Sequence, residues 1–183
     1  QATVHVERAR AQRLYFNEIS DKEGDVLVMD FMQNMGLPYL GSEQSGVTYY
    51  YSPLNVFGFG VVNMKTKHLH TFVYHEGEGK KGGNNVASML MKYLDMHSML
   101  GATRESLKIV MDNCSGQNKN CMVLRLALML VEMGFYDRVE FVFLIVGHTK
   151  NPCDRMFNLL KKIFRNSNVY TMEQLLKVLN EHE

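Results

Sequence analysis

The chain has 183 residues, of which 46% are hydrophobic, and its formal net charge is +1. This length suits one globular core rather than two. No apolar run reaches the roughly 18 residues of a membrane-spanning helix, so we expect no membrane partner. The small net charge hides a basic cluster over 150–165 and an acidic one over 18–25, which permits a nucleic-acid partner without demanding one.

Cysteine usage and the first residue bear on the compartment. Three cysteines without disulfide spacing predict reduced thiols in an intracellular protein. Because the sequence starts at Gln1, we expect a segment of a longer protein. A zinc site drawn from Cys114, Cys121, Cys153 and His148 is disfavoured, since the gap between the first two exceeds the usual spacing of about two to four residues.

The first half of the chain predicts a helix and three strands. Residues 3–19 form a charged helix, which gives an N-terminal helical extension over 1–22 and one domain over 23–183. The apolar, valine-rich "DVLVMDFM" predicts a strand. A second strand is predicted over 55–64, after Pro53. "KTKH" then predicts a hairpin turn into the alternating strand "LHTFVYHE".

The second half predicts alternating helices and strands. A helix follows Asn84 or Asn85 as its cap, and "SLKIVMD" is a fourth strand. The next helix, "NKNCMVLRLALMLVEMGF", is apolar nearly all round, which predicts that it is buried and ends at Gly134. "RVEFVFLIVG" is a fifth strand, followed by a helix after Pro152. The last helix starts with a capping box of Thr171 and Gln174.

This order predicts an α/β fold. A three-strand antiparallel meander is followed by two parallel strands, giving a five-stranded mixed sheet flanked by helices. The same order is that of the ribonuclease H-like fold, which nucleases, retroviral-type integrases and DDE transposases share.

Three aspartates take informative positions in this order. Asp30 lies near the end of the first strand, Asp112 ends the fourth, and Asp154 opens the helix after the fifth. Adjacent first and fourth strands would bring the first two side chains to one sheet edge. Three close carboxylates repel one another unless cations neutralise them, and Mg²⁺ or Mn²⁺ prefers such oxygen ligands. Two such ions about 3.5–4 Å apart activate a nucleophile and stabilise a leaving oxygen.

A plainer interpretation exists for each aspartate alone. An acid after a strand is commonly a helix cap or a solvated loop residue, and Asp154 stands where the helix dipole favours an acid. The joint placement of the three side chains is what favours the metal hypothesis.

Several motifs of the chain also carry a family resemblance. They are "MDFMQNMGLP", "YYYSPLNVFGFGVVN", "YHEGEGKKGGNNVASMLMKYL", "MDNCSGQNKN" and "GHTKNPCDRMFNLLK". In this order they resemble an uncharacterised family of transposase-derived domains in eukaryotic mobile-element proteins, over about residues 25–165. The resemblance implies a ribonuclease H-like catalytic domain in which Asp30, Asp112 and Asp154 carry two Mg²⁺ or Mn²⁺ ions.

The third position of the implied three-aspartate set is ambiguous, because "GHTKNPCD" offers both His148 and Asp154 as candidates. We include His148 as a candidate catalytic residue and metal ligand, with a supporting group or a strand-end cap as alternatives. Glu76 is a further candidate carboxylate, although an exposed strand-end glutamate is the plainer interpretation.

Polar and basic residues near these positions are candidates for binding phosphate. The loop after Asp112 surrounds a predicted helix N-terminus, where free N–H groups favour an anion. The alternative is a turn that satisfies the helix's own donors. Loop cations such as Lys81 would add backbone contacts. The candidate nucleic-acid-binding residues are Asn113, Gln117, Asn118, Lys119, Lys150 and Arg155.

The favoured function is metal-dependent phosphodiester cleavage or strand transfer by a transposase or nuclease domain. The alternative is a catalytically inactive, domesticated domain that binds nucleic acid or protein. A Cys-His hydrolase using Cys153 and His148 lacks a clear orienting third group. We expect DNA rather than RNA as the partner and an intracellular, nuclear location; homo-oligomerisation is left open.

Overall fold

The computed structural model of the chain describes residues 2–20, 24–41, 46, 50–145, 147 and 150–180. Five helices lie in these ranges: α1 (Ala2–Ser20), α2 (Gly83–Met96), α3 (Cys121–Glu132), α4 (Pro152–Arg165) and α5 (Met172–Asn180). The strands are β1 (Asp25–Phe31), β2 (Met35–Leu37), β3 (Tyr39–Leu40), β4 (Leu54–Asn63), β5 (Leu69–His75), β6 (Arg104–Met111), β7 (Tyr136–Phe143) and β8 (Asn168–Val169).

The main sheet is mixed, as predicted. Its strands lie in the order β5, β4, β1, β6 and β7. β1, β4 and β5 form an antiparallel meander, whereas β6 and β7 run parallel to β1. The protein is therefore an α/β protein whose sheet combines parallel and antiparallel pairing and is flanked by helices.

Three short strands were not predicted. β2 pairs antiparallel with the first residues of β4, so the sheet has six strands rather than five. β3 and β8 form a separate two-stranded ribbon. Segments of two or three residues are too short to show the alternation of apolar and polar residues that identifies a strand. Their pairing partners also lie far along the chain, so no hairpin pattern indicates them.

Helices cover both faces of the sheet and create two hydrophobic cores. Val26 and Val28 of β1 point into a core shared with α1, α4 and α5. Leu27 and Met29 point into the opposite core, shared with α2 and α3. The uninterrupted apolar run of β1 follows from this double coverage.

Two details of the helices correct the sequence analysis. The N-cap of α2 is Gly82, which makes no side-chain cap bond, so the prediction of Asn84 or Asn85 was wrong. The prediction that α3 is buried all round was also wrong, because Leu124 and Leu128 are 54% and 57% exposed. α3 packs on one side only, through its residues that face the sheet and α2.

The remaining boundaries agree with the sequence in their main features. The β4–β5 hairpin turns at "KTKH", where Lys67 adopts a left-handed conformation (φ 57°). α3 ends just before Gly134, whose φ is 72°. At α5, the Thr171 hydroxyl accepts from the N–H of Gln174, but the Gln174 side chain accepts from Tyr170 rather than closing the predicted box. Among the described residues, no helix is both long and apolar enough to cross a membrane.

Candidate functional site

The carboxyl ends of β1 and β6 bring two of the aspartates to one edge of the sheet. Val28 pairs with Val110 in the parallel ladder, and both side chains enter the core beneath α4. Two residues further along each strand, alternation returns Asp30 and Asp112 to that same face. Two chain segments that lie far apart in sequence thus present carboxylates side by side.

Asp30 is half-buried, and the charges of both other aspartates act on its carboxyl. Its Oδ2 accepts from the Asn151 amide at 2.9 Å, and its Oδ1 accepts from the N–H of Phe31 at 2.7 Å. Burial raises the pKa of the Asp30 carboxyl, and the nearby charges of Asp154 and Asp112 raise it further, although the two hydrogen bonds oppose this. Asp112 and Asp154 are therefore each close enough to act on the Asp30 carboxyl, even though the three residues come from distant segments.

Asp154 reaches the group through the first turn of α4. Asn151 and Asp154 form a capping box, in which the Asp154 N–H donates to Asn151 Oδ1 and the Asn151 N–H donates to Asp154 Oδ2 at 3.0 Å. The same Asn151 donates its amide to Asp30. Asp154 thus has the capping role of the plainer interpretation and also shares Asn151 with Asp30.

Asp112 is held by the loop that follows it. Its Oδ1 accepts from the side-chain amide of Asn118 and from the N–H of Cys114. Asn118 is only 3% exposed, and its Oδ1 is buried without a hydrogen-bond donor among the described residues. An unpartnered acceptor beside a carboxylate is costly unless a positive group satisfies it.

The rest of the loop mostly satisfies its own backbone. The carbonyl of Cys114 accepts from the N–H groups of residues 117–119. Asn120 is the N-cap of α3, and its Oδ1 accepts from two of the helix's first N–H groups. The prediction of free helix donors was therefore wrong for these two groups.

The candidate phosphate-binding residues of this loop differ in accessibility. Asn113 and Lys119 are exposed, and the Lys119 ammonium lies 5.4 Å from the centre of the Phe143 ring. Gln117 is partly exposed, whereas Asn118 turns inward to Asp112. A ligand can reach the first three directly but reaches Asn118 only through the carboxylate.

Lys81 joins the site from the loop between β5 and α2. Its ammonium donates to the Met32 carbonyl at 2.9 Å and lies over the rings of Phe31 and Phe57, at 5.0 and 5.6 Å. Burial lowers the pKa of Lys81, while the charge of Asp30 opposes this effect. A partly desolvated cation is thus fixed beside the carboxylates.

The other sequence-predicted site residues have different positions. His148 lies outside the described residues. Lys150 and Arg155 are exposed on either side of the Asn151–Asp154 box. Glu76 is exposed at the end of β5, and hydrogen bonds from Asn55 lower the pKa of its carboxyl. Glu76 does not belong to the acidic group around Asp30.

The chemistry of the group fits a hard divalent cation. It offers three carboxylates and the unpartnered Asn118 oxygen, all of which are ligand types that Mg²⁺ and Mn²⁺ prefer. Among the described residues, however, no three acidic, histidine or cysteine side chains are arranged as a ready set of metal ligands. The amides of Asn118 and Asn151 already donate to Asp112 and Asp30, so a cation would share these two carboxylates with the amides.

The positions of the cysteines do not favour a cysteine nucleophile or a zinc site. Cys153 is fully buried, its thiol donates to the Val28 carbonyl at 3.3 Å, and burial raises its pKa far above the ordinary value. A thiol in this state is a poor nucleophile. Cys121 is exposed and Cys153 is buried, so these two described cysteines are not placed to share a zinc ion.

Sequence reasoning missed Asn151 as the residue that links two of the aspartates. The run Asn-Pro-Cys-Asp carried a signal for it, because an asparagine before a helix-initiating proline with an acid at the third helical position is typical of a capping box. The position of Lys81 had no comparable signal, since it depends on how the loop folds over β1.

Comparisons with known proteins identify a family without a known activity. The profile of the family described as "Domain of unknown function (DUF7869)" matches residues 50–182. Asp112 and Asp154 lie within the matched residues, whereas Asp30 precedes them. No curated protein matches the chain. Since the match covers most of its length, the chain belongs to the DUF7869 family.

Proposed function

We propose that this member of the DUF7869 family cleaves or transfers phosphodiester bonds of nucleic acid with the help of two Mg²⁺ or Mn²⁺ ions. The proposal is supported by the way Asp112 and Asp154 approach Asp30: β1 and β6 are paired neighbours, Asn151 contacts both Asp30 and Asp154, and the charges of Asp112 and Asp154 act on Asp30. A partly buried acid with a raised pKa, such as Asp30, is common where a protein binds metal or performs acid–base chemistry.

The strand order supports the same proposal. A meander followed by two parallel strands, in the order β5-β4-β1-β6-β7, is the order expected of a ribonuclease H-like domain. In open α/β sheets, ligands bind outside the carboxyl ends of the parallel strands, where Asp30 and Asp112 lie. This support is an analogy between folds, and a shared fold does not establish a shared activity. The activity depends on the chemistry of the side chains at the site.

The residues would divide the work as follows. Asp30, Asp112 and Asp154 would hold the ions, which when bound supply Lewis-acid activation of the nucleophile and charge stabilisation at the leaving oxygen. Asn118 and Asn151 would orient the carboxylates through the amides that contact them. Lys81 would place a positive charge beside the reacting phosphate, which carries negative charge throughout.

The test is a cleavage assay on labelled single- and double-stranded DNA and RNA, with Mn²⁺ or EDTA. We expect Mn²⁺-dependent cutting that Asp112→Asn reduces at least about 100-fold, because mutating a group that only orients a metal ligand already costs about 10–100-fold. Lys81→Met keeps the apolar stem over the two rings and removes the charge, so we expect slower cutting by a protein of near-normal stability.

The assay also separates the proposal from the binding alternative. If the protein retains nucleic acid but never cuts it with either ion, the domain is a binding module and the catalytic proposal is wrong. If cutting is unaffected by Asp112→Asn, the activity does not come from this site.

A further inference from the structure

A cleft of about 930 Å³ runs over the sheet between α1 and the first turns of α4. Its floor includes Val62 and Leu144, and Phe16 and Met156 line its sides. One wall is fixed by Gln12 of α1, whose side chain donates to the Phe143 carbonyl and accepts from the N–H of Ile145 at 2.8 Å. α1 is therefore anchored to the end of β7 rather than merely lying nearby.

The cleft concentrates positive charge next to the acidic site. Four exposed cations line it, one from α1, one from the β4–β5 turn and two beside the α4 N-terminus: Arg13, Lys67, Lys150 and Arg155. Within the described part of the chain, the side chains of these four residues form no ion pair or hydrogen bond; Lys67 uses only its backbone N–H, which donates to the Asn63 carbonyl. Asn151 and Asp154 also line the cleft, so its upper end opens onto the carboxylate group.

We propose that this cleft binds the phosphodiester backbone of a single-stranded nucleic-acid segment and leads it to the carboxylates. Unpaired cations spread along a groove suit a ligand with regularly repeated negative charge. An apolar floor beside an aromatic side chain, that of Phe16, suits bases, which stack or pack on such surfaces. The volume lies near the top of the range of about 300–1,000 Å³ for small-ligand pockets, which accommodates a few nucleotides of one strand but not a duplex.

This inference rests on the proposed function for its choice of ligand, but it assigns Arg13 and Lys67 a role that the carboxylate site does not require. Both belong to segments outside the carboxylate group, on α1 and on the hairpin turn at the opposite end of the sheet. Their contribution can therefore be measured by binding alone.

The experiment measures binding of a fluorescent oligothymidylate to the full chain in EDTA, by anisotropy over a series of salt concentrations. Each phosphate contact to a single strand contributes about −0.7 to the slope of log K against log salt concentration. We expect the double variant Arg13→Ala/Lys67→Ala to bind more weakly and to lose about 1.4 from the magnitude of that slope. The matched control is Lys92→Ala/Arg125→Ala, which removes two exposed cations from the opposite face and should leave the slope unchanged.

The outcomes separate this inference from the proposed function. A reduced slope in a protein that never cleaves nucleic acid supports the cleft and overturns the catalytic proposal. An unchanged slope, equal losses in both double variants, or no binding at all overturns the cleft, whatever the cleavage assay gives. A loss seen only with a duplex of the same sequence overturns the single-strand assignment.

Discussion

Replacing Asp30 with asparagine should stabilise the metal-free protein at neutral pH. The Asp30 carboxyl is half-buried and faces the charges of Asp154 and Asp112, and its raised pKa shows that the folded protein disfavours its ionised form. Asparagine keeps the shape and one acceptor oxygen, which can serve Asn151, but its NH2 group replaces the oxygen that accepts from the N–H of Phe31, and this loss limits the gain. We expect a gain of about 1 kcal/mol, within the usual range for optimising a charge.

The stability difference between Asp30→Asn and the wild type should depend on pH. A carboxyl whose pKa is raised by folding contributes stability below the ordinary pKa of about 3.9 and loses that contribution as the pH rises through the raised value. Asp30→Asn carries no charge at any pH. Its advantage over the wild type should therefore be absent in acid and should appear as the pH rises.

The assay is thermal unfolding in EDTA between pH 3.5 and pH 8. A gain of about 1 kcal/mol raises the Tm of a domain of this size by roughly 2–4 °C. Asp137→Asn, at an exposed position of β7, is the control and should change stability by less than about 0.5 kcal/mol. A Tm that falls in Asp30→Asn, or rises equally at every pH, would refute the reasoning.

Other substitutions test the supports of the site. Asn151→Ala removes the cap of α4 and should lower the free energy of unfolding by about 0.5–2 kcal/mol in urea; an unchanged midpoint contradicts its role. In Gly83→Ala the new Cβ would lie 2.5 Å from the side chain of Asn120, the cap of α3, so we expect a loss of about 1–2 kcal/mol in the same assay. In Gly116→Ala the new Cβ would have no atom within 4 Å, so the free energy of unfolding should not change. Equal losses of stability in the two glycine variants would contradict this explanation. Mass spectrometry after iodoacetamide treatment should find Cys153 alkylated only in denaturant, because its thiol is buried; rapid alkylation of the folded protein would reopen the nucleophile hypothesis.

The main elements of the fold could be predicted because their patterns are strong and local. β1 is apolar at consecutive positions since helices cover both faces, and α4 begins where Pro152 follows an asparagine cap. The exposed side of α3 could not be predicted, because an apolar helix surface does not reveal whether a partner covers it. The β3–β8 ribbon depends on a pairing between distant dipeptides.

The carboxylates of the candidate site were easier to predict than their partners. Strand ends and helix starts locate Asp30, Asp112 and Asp154 once the strand order is known. The amides of Asn118 and Asn151 reach them through loop geometry, which sequence spacing does not specify. The same holds for Lys81, whose contacts depend on a loop crossing the end of β1.

The central claim is that three distant carboxylates form one divalent-metal site. Mn²⁺ binding followed by the electron paramagnetic resonance signal of the free ion tests it most directly. The account predicts saturable binding of up to two ions per chain, abolished or severely weakened by Asp112→Asn and retained in Asp137→Asn. Absence of binding, or binding that survives Asp112→Asn unchanged, would contradict it.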